Sequence, residues 1–496
     1  MVVLDKMTST ETLQSIIDIA NDNLWYIAFI LIIGGGIYLT YKLKGVQITH
    51  FLESVRLALF GGRKSGIKGV TSSEAFWVGV GARIGIGNIA GVAIAILLGG
   101  AGAIFWLWIF ALIGGATCFA ECTLGQIFKE KKADGLYHGG PAYYIRDGLK
   151  SPKLASFISL LLIVTYSVGF IGIQANSANS AFVTAFDFEG NSLIFAIVLS
   201  AIAALIMYKG IKGVAQASAK MVPAMAIVWF VVVIVTTLFN WNFIGDAIVM
   251  IFKGAFGMDS FLGGTLGAAI LWGLRRGVFS NEAGIGSVPN VSSAADVGHP
   301  VEQGLIQSFG VLLDTLICTG TAFVILTASH VIGDFAGQEA GIPLVAAALE
   351  TGPLGEYAAA VLAILVFSFV LASIVSSFSL SDANVKFLST KPIYSALLKM
   401  TIILTIFIAS LAPADLIWSL ADIFMAILGI CNMVVVLLLK DYVITSFKDY
   451  NKQKSKGKDP MFFAEDLPLD VSGITVWGDR SEVELDLDVK SGADAG

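Results

Sequence analysis

The sequence has little charge, few histidines and few cysteines. Only 14% of its 496 residues are charged, and it holds four histidines and four cysteines. Soluble domains carry roughly 25% charged residues, so a water-soluble protein of this length is excluded because it could not cover its surface. The cysteines stand in apolar runs without the partners of a metal site. Since HExxH and GxSxG motifs are absent and the histidines form no catalytic group, we expect no enzyme.

What the sequence has instead is long apolar runs. Hydrophobic residues make up 56% of the chain, and the mean hydropathy is +0.81. Runs of about 18 or more apolar residues predict an all-α protein that spans the bilayer many times. We predict eleven transmembrane helices, near 24–41, 72–98, 103–127, 155–185, 191–208, 219–239, 261–285, 304–331, 357–381, 394–411 and 414–439. Several exceed the ~20 residues of a straight crossing, which predicts tilted or broken helices.

The distribution of lysine and arginine predicts the orientation of the chain. Basic residues concentrate in 42–70 and 128–153, whereas the loops expected on the opposite side are neutral or acidic, with Asp187, Glu189, Asp246, Asp334, Glu339, Glu350 and Glu356. Positive loops remain inside the cell, so we expect the N-terminus outside, the C-terminus in the cytoplasm and the protein in the plasma membrane. The segment after Lys440 is basic through Lys458 and acidic from Glu465, a pattern that predicts disorder or a weak partner-binding tail.

Two spans combine glycine, polar side chains and charge at membrane depth. The second contains VGVGARIGIGNIAG, with Arg83 and Asn88, and the seventh reads GGTLGAAILWGLRRGVFSNEAGIGS. Unwound backbone survives in hydrocarbon only where it lines a cavity or is buried in protein. Free N–H groups at a half-helix suit a carboxylate, and freed carbonyls suit a cation such as sodium. Glycine for close helix packing is the alternative, but the paired breaks favour a transporter site.

The positions of the two broken spans predict an inverted repeat. If the first span is an extra helix, the broken spans are the first and sixth of ten, as expected for two inverted five-helix halves. We therefore divide the chain into an extracellular N-terminus with the extra helix (1–44), a ten-helix core with two unwound helices (45–440) and a cytoplasmic tail (441–496).

Four motifs carry a family resemblance. The stretches GARIGIGNIAGVAIAI (81–96), GGPAYYI (139–145), LRRGVFSNEAGIGSVPN (274–290) and HPVEQGLIQSFGVLLDTLICTGTAF (299–323) resemble the alanine or glycine:cation symporter family, in the amino acid–polyamine–cation superfamily. The resemblance implies the inverted-repeat core and uptake of alanine, glycine or similar amino acids driven by sodium or protons. It implies no organic cofactor and no nucleic-acid partner, and we expect a monomer in the lipid bilayer.

The first broken span also resembles the unwound first core helix of bacterial sodium-coupled leucine transporters, which implies individual roles. N–H groups around Ile86 and Gly87 would receive the substrate carboxylate, and Asn88 would offer its amide oxygen to a second sodium ion or to the substrate. The implied substrate-binding residues are Gly85, Ile86, Gly87, Asn88, Gln174, Trp272, Gly273 and Phe279. The implied sodium ligands are Gly81, Ile84, Ser373, Ser376 and Ser377.

Each of these roles has a structural alternative. Helical serines can bond to their own i−4 carbonyls, Gln174 can be a helix–helix hydrogen bond, and aromatic rings can be core packing. Family members often carry Ser or Thr where Ile86 stands, and a Trp followed by tyrosines where this chain has 376–379.

Charged residues in or beside the spans are expected to pair. We predict that the arginines near the breaks pair with acidic residues and act as gates or struts; the basic set is Arg83, Arg275 and Arg276, and the acidic set is Glu121, Glu282 and Asp314.

The resulting hypothesis is a sodium-coupled symporter that imports a small neutral amino acid such as alanine or glycine by alternating access. A proton-coupled carrier is the alternative in the same class. A passive channel is an alternative from another class, although the sequence shows no ring of charge or symmetric pore repeat.

Overall fold

The computed structural model describes residues 9–61, 70–132, 135–208, 211–257, 265–333, 335 and 337–477. Its first half contains helices α1 (Ser9–Lys42), α2 (Val46–Thr49), α3 (Phe51–Phe60), α4 (Ser72–Arg83), α5 (Ala90–Gly99), α6 (Gly102–Ile127), α7 (Pro141–Asp147), α8 (Pro152–Val164) and α9 (Ile171–Ala185). Strands β1 (Glu130–Lys131) and β2 (Tyr137–His138) pair antiparallel. A π-helical turn, Thr165–Phe170, joins α8 to α9.

The second half is also helical. It contains α10 (Asn191–Tyr208), α11 (Ile211–Phe239), α12 (Ile244–Ala255), α13 (Leu266–Asn281), α14 (Val288–Ser292), α15 (Pro300–Thr327), α16 (Ser329–Ile332), α17 (Ile342–Glu350), α18 (Ala358–Leu388), α19 (Pro392–Leu411), α20 (Ala414–Leu438) and α21 (Lys440–Ser455). Short 3-10 segments lie at Ile86–Asn88, Trp241–Phe243, Gly355–Tyr357 and Ala464–Asp466.

The helices confirm a multi-pass membrane protein. Within the described residues, nine helices are long and apolar enough to cross a membrane, and the pair Ser72–Arg83 and Ile86–Gly99, bent by 55°, would make a tenth. The predicted seventh span is not among them, because α13 has only 16 residues and contains two arginines. Residues 261–264 of that span lie outside the described residues. The eleven-span count, the inverted repeat, the division at residue 45 and the orientation stay predictions.

Helix α6 forms the centre of the structure, and it packs most extensively against α13 and α15. Every residue of α6 from Gly114 to Ile127 is buried. The crossing with α15 is close, because a Cβ atom placed on Gly304 would lie 2.8 Å from Phe119 O. Small residues allow helices in membranes to approach in this way. Helices α5 and α13, one from each broken span, therefore pack against this central helix.

The segment after Lys440 differs from the predicted disordered tail. Residues 440–455 form α21. Farther on, the Phe462 N–H donates to Gly298 O at 3.0 Å, and Trp477 Nε1–H donates to Gln126 O at 3.0 Å. The rings of Phe462 and Trp477 lie 5.2 Å apart, edge to face. The charge pattern misled the prediction, because a few well-placed apolar residues order this segment. The acidic residues after 477 lie outside the described residues.

We expect Phe462→Ala to lower the stability of the protein by about 3 kcal/mol, because it removes a buried aromatic side chain. Phe462 is only 4% exposed. Thermal unfolding of the purified protein in detergent measures the effect, with Glu465→Ala, an exposed position of the same segment, as the control. Equal unfolding midpoints for the two variants would show that the segment does not pack as described.

Candidate functional site

The first broken span opens between α4 and α5. Helix α4 ends at Arg83, Ile84 is extended (φ −72°, ψ 97°), and residues 86–88 form a single 3-10 turn before α5. We call Ile84–Asn88 the first break. A Cβ atom on Gly85 would lie 2.7 Å from Ser373 Oγ and 3.1 Å from Gln174 Nε2. Glycine is needed there because α9 and α18 approach the backbone directly.

Two N–H groups of the first break have side-chain partners. The Gly85 N–H donates to Asn88 Oδ1 at 3.0 Å. The Ile86 N–H donates to Gln174 Oε1 at 3.4 Å, which is long for a hydrogen bond. The structure thus brings Gly85, Ile86 and Gln174 together as the sequence predicts. A carboxylate would be a stronger acceptor for this N–H than the distant amide oxygen.

Asn88 is held by a carboxylate that the sequence did not assign to it. Its Nδ2 donates to Asp314 Oδ1 at 2.6 Å, and its oxygen accepts from Gly85. Ser280 Oγ on α13 donates to the other oxygen of Asp314 at 2.5 Å. Both ends of the Asn88 amide are therefore bonded within the protein, and the ligand role that the resemblance implies stays a prediction.

Phe279 lies over the first break. A Cβ atom on Gly87 would lie 2.7 Å from Phe279 Cδ1. The Phe279 ring stacks on Phe170 with centroids 4.8 Å apart, and Phe170 stacks on Tyr166 at 4.5 Å. Trp418 contacts the other side of Phe279 at 5.2 Å. These aromatic residues close one side of the break.

Sequence reasoning missed Tyr166, Phe170 and Trp418. The i, i+4 spacing of Tyr166 and Phe170 is a signal for a shared helix face. The π-helical turn that contains them had no sequence signal, although such turns are frequent at functional sites.

Trp272 and Gly273 differ from their predicted place in the pocket. A Cβ atom on Gly273 would lie 2.5 Å from Ala103 O and 2.8 Å from Trp106 Cβ, so this glycine serves the close packing of α13 on α6. The guanidinium groups of Arg275 and Arg276 lie 5.1 and 5.4 Å from the Trp272 ring centroid. Trp272 thus has an electrostatic role beside the arginines.

Two serines of α18, Ser373 and Ser376, differ from a third serine of the same helix, Ser368. Ser368 donates to Ile364 O, its own i−4 carbonyl, at 2.9 Å. The hydroxyls of Ser373 and Ser376 are buried and have no hydrogen-bond partner within the described residues. Buried hydroxyls without partners are rare in folded proteins, so these two are suited to an additional ligand. Ser377 is also buried, in the next position.

The other two predicted sodium ligands lie at the end of α4. Gly81 is in its last turn and Ile84 is its C-cap residue, and both are buried. The last carbonyls of a helix lack intrahelical partners. Since Gly85 borders Ser373, the end of α4 and the unpartnered hydroxyls of α18 face the same region.

The second broken span unwinds after α13. Glu282 has a left-handed backbone (φ 52°), and the φ values of Gly284 and Gly286 are 89° and 79°. The N–H groups of these glycines donate to the Glu121 carboxylate at 3.2 and 3.1 Å, and Asn432 Nδ2 donates to it at 2.8 Å. We call residues 282–286 the second break. Its backbone thus binds a carboxylate of the protein itself.

The predicted pairing of the arginines with Glu121, Glu282 or Asp314 was wrong. Arg275 pairs with Asp22 of α1 at 2.6 Å, and Arg276 pairs with Asp422 of α20. These partners lie on helices that pack beside α13, and sequence order alone could not reveal that neighbourhood.

Arg83 has no carboxylate within ion-pair distance among the described residues. Its Nε donates to Asn281 O at 2.9 Å, and its other nitrogens contact Gln307 Oε1 at 3.3 Å and Cys118 Sγ at 3.0 Å. Asn281 is the last residue of α13, so the negative end of that helix stabilises the buried charge.

Known proteins resemble this chain over nearly its whole length. A family model described as the sodium:alanine symporter family matches residues 10–464. The probable sodium/glutamine symporter GlnT of Bacillus subtilis (strain 168) is 38% identical over 471 residues, covering 94% of this chain and 96% of that protein. The sodium/proton-dependent alanine carrier protein of Bacillus sp. (strain PS3) is 32% identical over 429 residues, with 83% and 94% covered.

A solved structure has a similar fold. The crystal structure of MhsT in complex with L-phenylalanine aligns with a TM-score of 0.56 and 15% identity, over 76% of this chain and 95% of that chain. At this identity the likeness concerns the fold alone.

Proposed function

We propose that this chain, which belongs to the sodium:alanine symporter family and is a cation-coupled amino-acid symporter, uses sodium to import a small neutral amino acid such as alanine or glycine. The family resemblance of the four sequence motifs is confirmed. The choice of sodium, the substrate and the residues that bind them are the proposal.

The observation that carries the proposal is the first break itself. We place the substrate carboxylate at the N–H groups of Ile86 and Gly87. There it would replace Gln174 Oε1 as the acceptor of the long hydrogen bond from the Ile86 N–H. Backbone N–H groups at the start of a helical turn suit an anion. The Gln174 side chain would then bond to the bound amino acid.

Close packing around the break supports a small substrate. Gly87 has Phe279 against it, and Gly85 has Ser373 and Gln174 against it. Phe279 is fixed by stacking on Phe170, so it cannot swing aside without breaking an aromatic column. A methyl group or a hydrogen on the substrate fits such a site better than a long side chain does.

We place sodium between the end of α4 and α18. The carbonyls of Gly81 and Ile84 and the hydroxyls of Ser373, Ser376 and Ser377 supply oxygen ligands, which hard cations prefer. A sodium ion there would attract the nearby substrate carboxylate. Each would therefore raise the affinity of the other, because binding coupling is reciprocal. Rocking of the broken spans against the remaining helices would then release both on the other side.

Uptake of labelled alanine into proteoliposomes tests the function. An inward sodium gradient at equal pH should drive accumulation, and unlabelled glycine should compete more strongly than glutamine or leucine. Accumulation under a proton gradient without sodium would overturn the sodium assignment. Glutamine competing best would overturn the substrate assignment and leave symport standing.

Gln174→Ala should raise the KM for alanine about tenfold, because the loss of a hydrogen bond to a charged ligand costs about 1.5–3 kcal/mol. The maximal rate should change less than the KM. Ser368→Ala, whose hydroxyl bonds only to its own helix, is the matched control for expression and folding. An unchanged KM in the Gln174 variant would remove this residue from the substrate site.

A further inference from the structure

We propose that Asp314 is a positioning residue that joins the two broken spans, so that the shape of the first break depends on the end of α13. The inference rests on the proposed function, because it concerns the site at the first break. Asp314 lies on α15 and is 1% exposed. It accepts hydrogen bonds from Asn88 at 2.6 Å and from Ser280 at 2.5 Å.

These contacts form one continuous hydrogen-bonded chain. The Gly85 N–H donates to Asn88 Oδ1, Asn88 Nδ2 donates to one oxygen of Asp314, and Ser280 Oγ donates to the other. Asn88 and Ser280 are 0% and 1% exposed, so water does not compete along this chain. Buried, fully connected hydrogen bonds are strong and fix geometry.

These hydrogen bonds give Asn88 a new role. Its oxygen accepts from the Gly85 backbone and its nitrogen donates to Asp314, so it shapes the break. The motif that contains Asp314 is one of the four family motifs, yet neither the substrate site nor the proposed sodium site uses this carboxylate.

Ser280, at the other end of these hydrogen bonds, affects how the site is covered. Ser280 directly follows Phe279, the residue that lies over Gly87. A shift of α13 would therefore move Phe279 and, through Ser280 and Asp314, the side chain of Asn88. The cover and the backbone of the site are linked through the Asp314 carboxylate, and Cys318 Sγ contacts the same two side chains, at 3.4 Å from Asn88 Nδ2 and 3.1 Å from Ser280 Oγ.

The hydrogen-bonding pattern lets geometry be separated from charge. No lysine, arginine or histidine lies within ion-pair distance of Asp314 among the described residues. An asparagine at position 314 could still accept from Asn88, while its NH2 group donates to Ser280 Oγ, because a hydroxyl can reverse its role. Asp314→Asn keeps the connection without the charge, and Asp314→Ala removes both.

The first experiment measures alanine uptake by the reconstituted full chain. Asp314→Ala and Asn88→Ala should each raise the KM about tenfold, since about 1.4 kcal/mol of binding is a factor of ten. The double variant should be no worse than either single one, because both break the same connection. Ser280→Ala should raise the KM by a smaller factor than Asn88→Ala does, because Asp314 loses its hydrogen bond from α13 but keeps the one from Asn88; an unchanged KM would show that the first break does not depend on the end of α13.

Two controls complete the uptake experiment. Asp314→Asn should restore most of the affinity and the wild-type sodium dependence. Thr321→Val, on the same helix, removes a buried hydroxyl that bonds only to Ile317 O, and it should behave as wild type. KM effects of Asn88→Ala and Asp314→Ala that multiply would overturn the inference. So would an Asp314→Asn variant as impaired as Asp314→Ala, which would mean that the charge acts.

A second readout does not need a transported substrate. Thermal unfolding of the same variants in detergent should show non-additive losses both for Asn88→Ala with Asp314→Ala and for Ser280→Ala with Asp314→Ala. A wild-type protein that transports no amino acid under any gradient would sink the proposed function, while the unfolding cycle would still decide whether Asp314 joins the two spans. Losses of unfolding free energy that add would contradict the proposed link between the two broken spans.

Discussion

Arg276→Met is expected to destabilise the protein by about 3–5 kcal/mol, because it leaves the Asp422 carboxylate buried without its partner. The ion pair joins α13 to α20, and its side chains are 1% and 3% exposed. The guanidinium also lies 4.8 Å from the Trp418 ring centroid and 5.8 Å from that of Phe279. Loss of this residue should therefore loosen the aromatic cover of the first break as well. Thermal unfolding in detergent and alanine uptake measure the two effects.

The double variant Arg276→Met/Asp422→Leu is the matched control. Replacing both partners of a buried ion pair by apolar residues is often neutral or stabilising, so the double variant should regain most of the lost stability. If it is as unstable as Arg276→Met alone, the pair does not account for the loss, and the packing of the Arg276 side chain on its aromatic neighbours does.

Glu121→Ala is expected to cost about 3 kcal/mol or more, since each buried donor left without a partner costs about 1–3 kcal/mol. The N–H groups of Gly284 and Gly286 and the amide of Asn432 all lose their acceptor. Glu121 is fully buried, so bulk solvent does not reach these donors in the folded protein. The unfolding midpoint and the yield of folded protein report the loss.

Glu121→Gln gives the graded comparison. It keeps the shape and one acceptor oxygen but places an NH2 group where another donor points, so its stability should fall between those of wild type and Glu121→Ala. Equal stability of Glu121→Gln and wild type would mean that the second break does not need an anionic partner.

The sequence predicted where the chain breaks, because the signal is local. Glycine and Asn88 in the middle of an apolar run conflict with a continuous helix, and the structure unwinds there. The roles of Gln174 and Ser373 came from the family resemblance, and the structure places both side chains beside Gly85. That the Ser373 hydroxyl lacks an i−4 bond could be seen only in the structure.

Long-range partners could not be predicted from the sequence. Glu121 meets Gly284 and Asp422 meets Arg276 only after the helices pack, and many acidic residues were equally available. Gly273 shows the same limit on a smaller scale, because glycine that permits helix packing and glycine that lines a site look alike in a sequence. The ordered segment that contains Phe462 was missed because its charge pattern outweighed its few apolar residues.

Coupled uptake by this mechanism requires sodium and the amino acid to bind side by side at the first break. The decisive measurement is the affinity of the purified protein for alanine at increasing sodium concentrations, in wild type and in Ser373→Ala/Ser376→Ala. We predict that sodium raises the affinity at least about tenfold in wild type, within the usual range of coupling between sites, and has little effect in the double variant. Equal sodium effects in both proteins would contradict the proposed ion site and its coupling to the substrate.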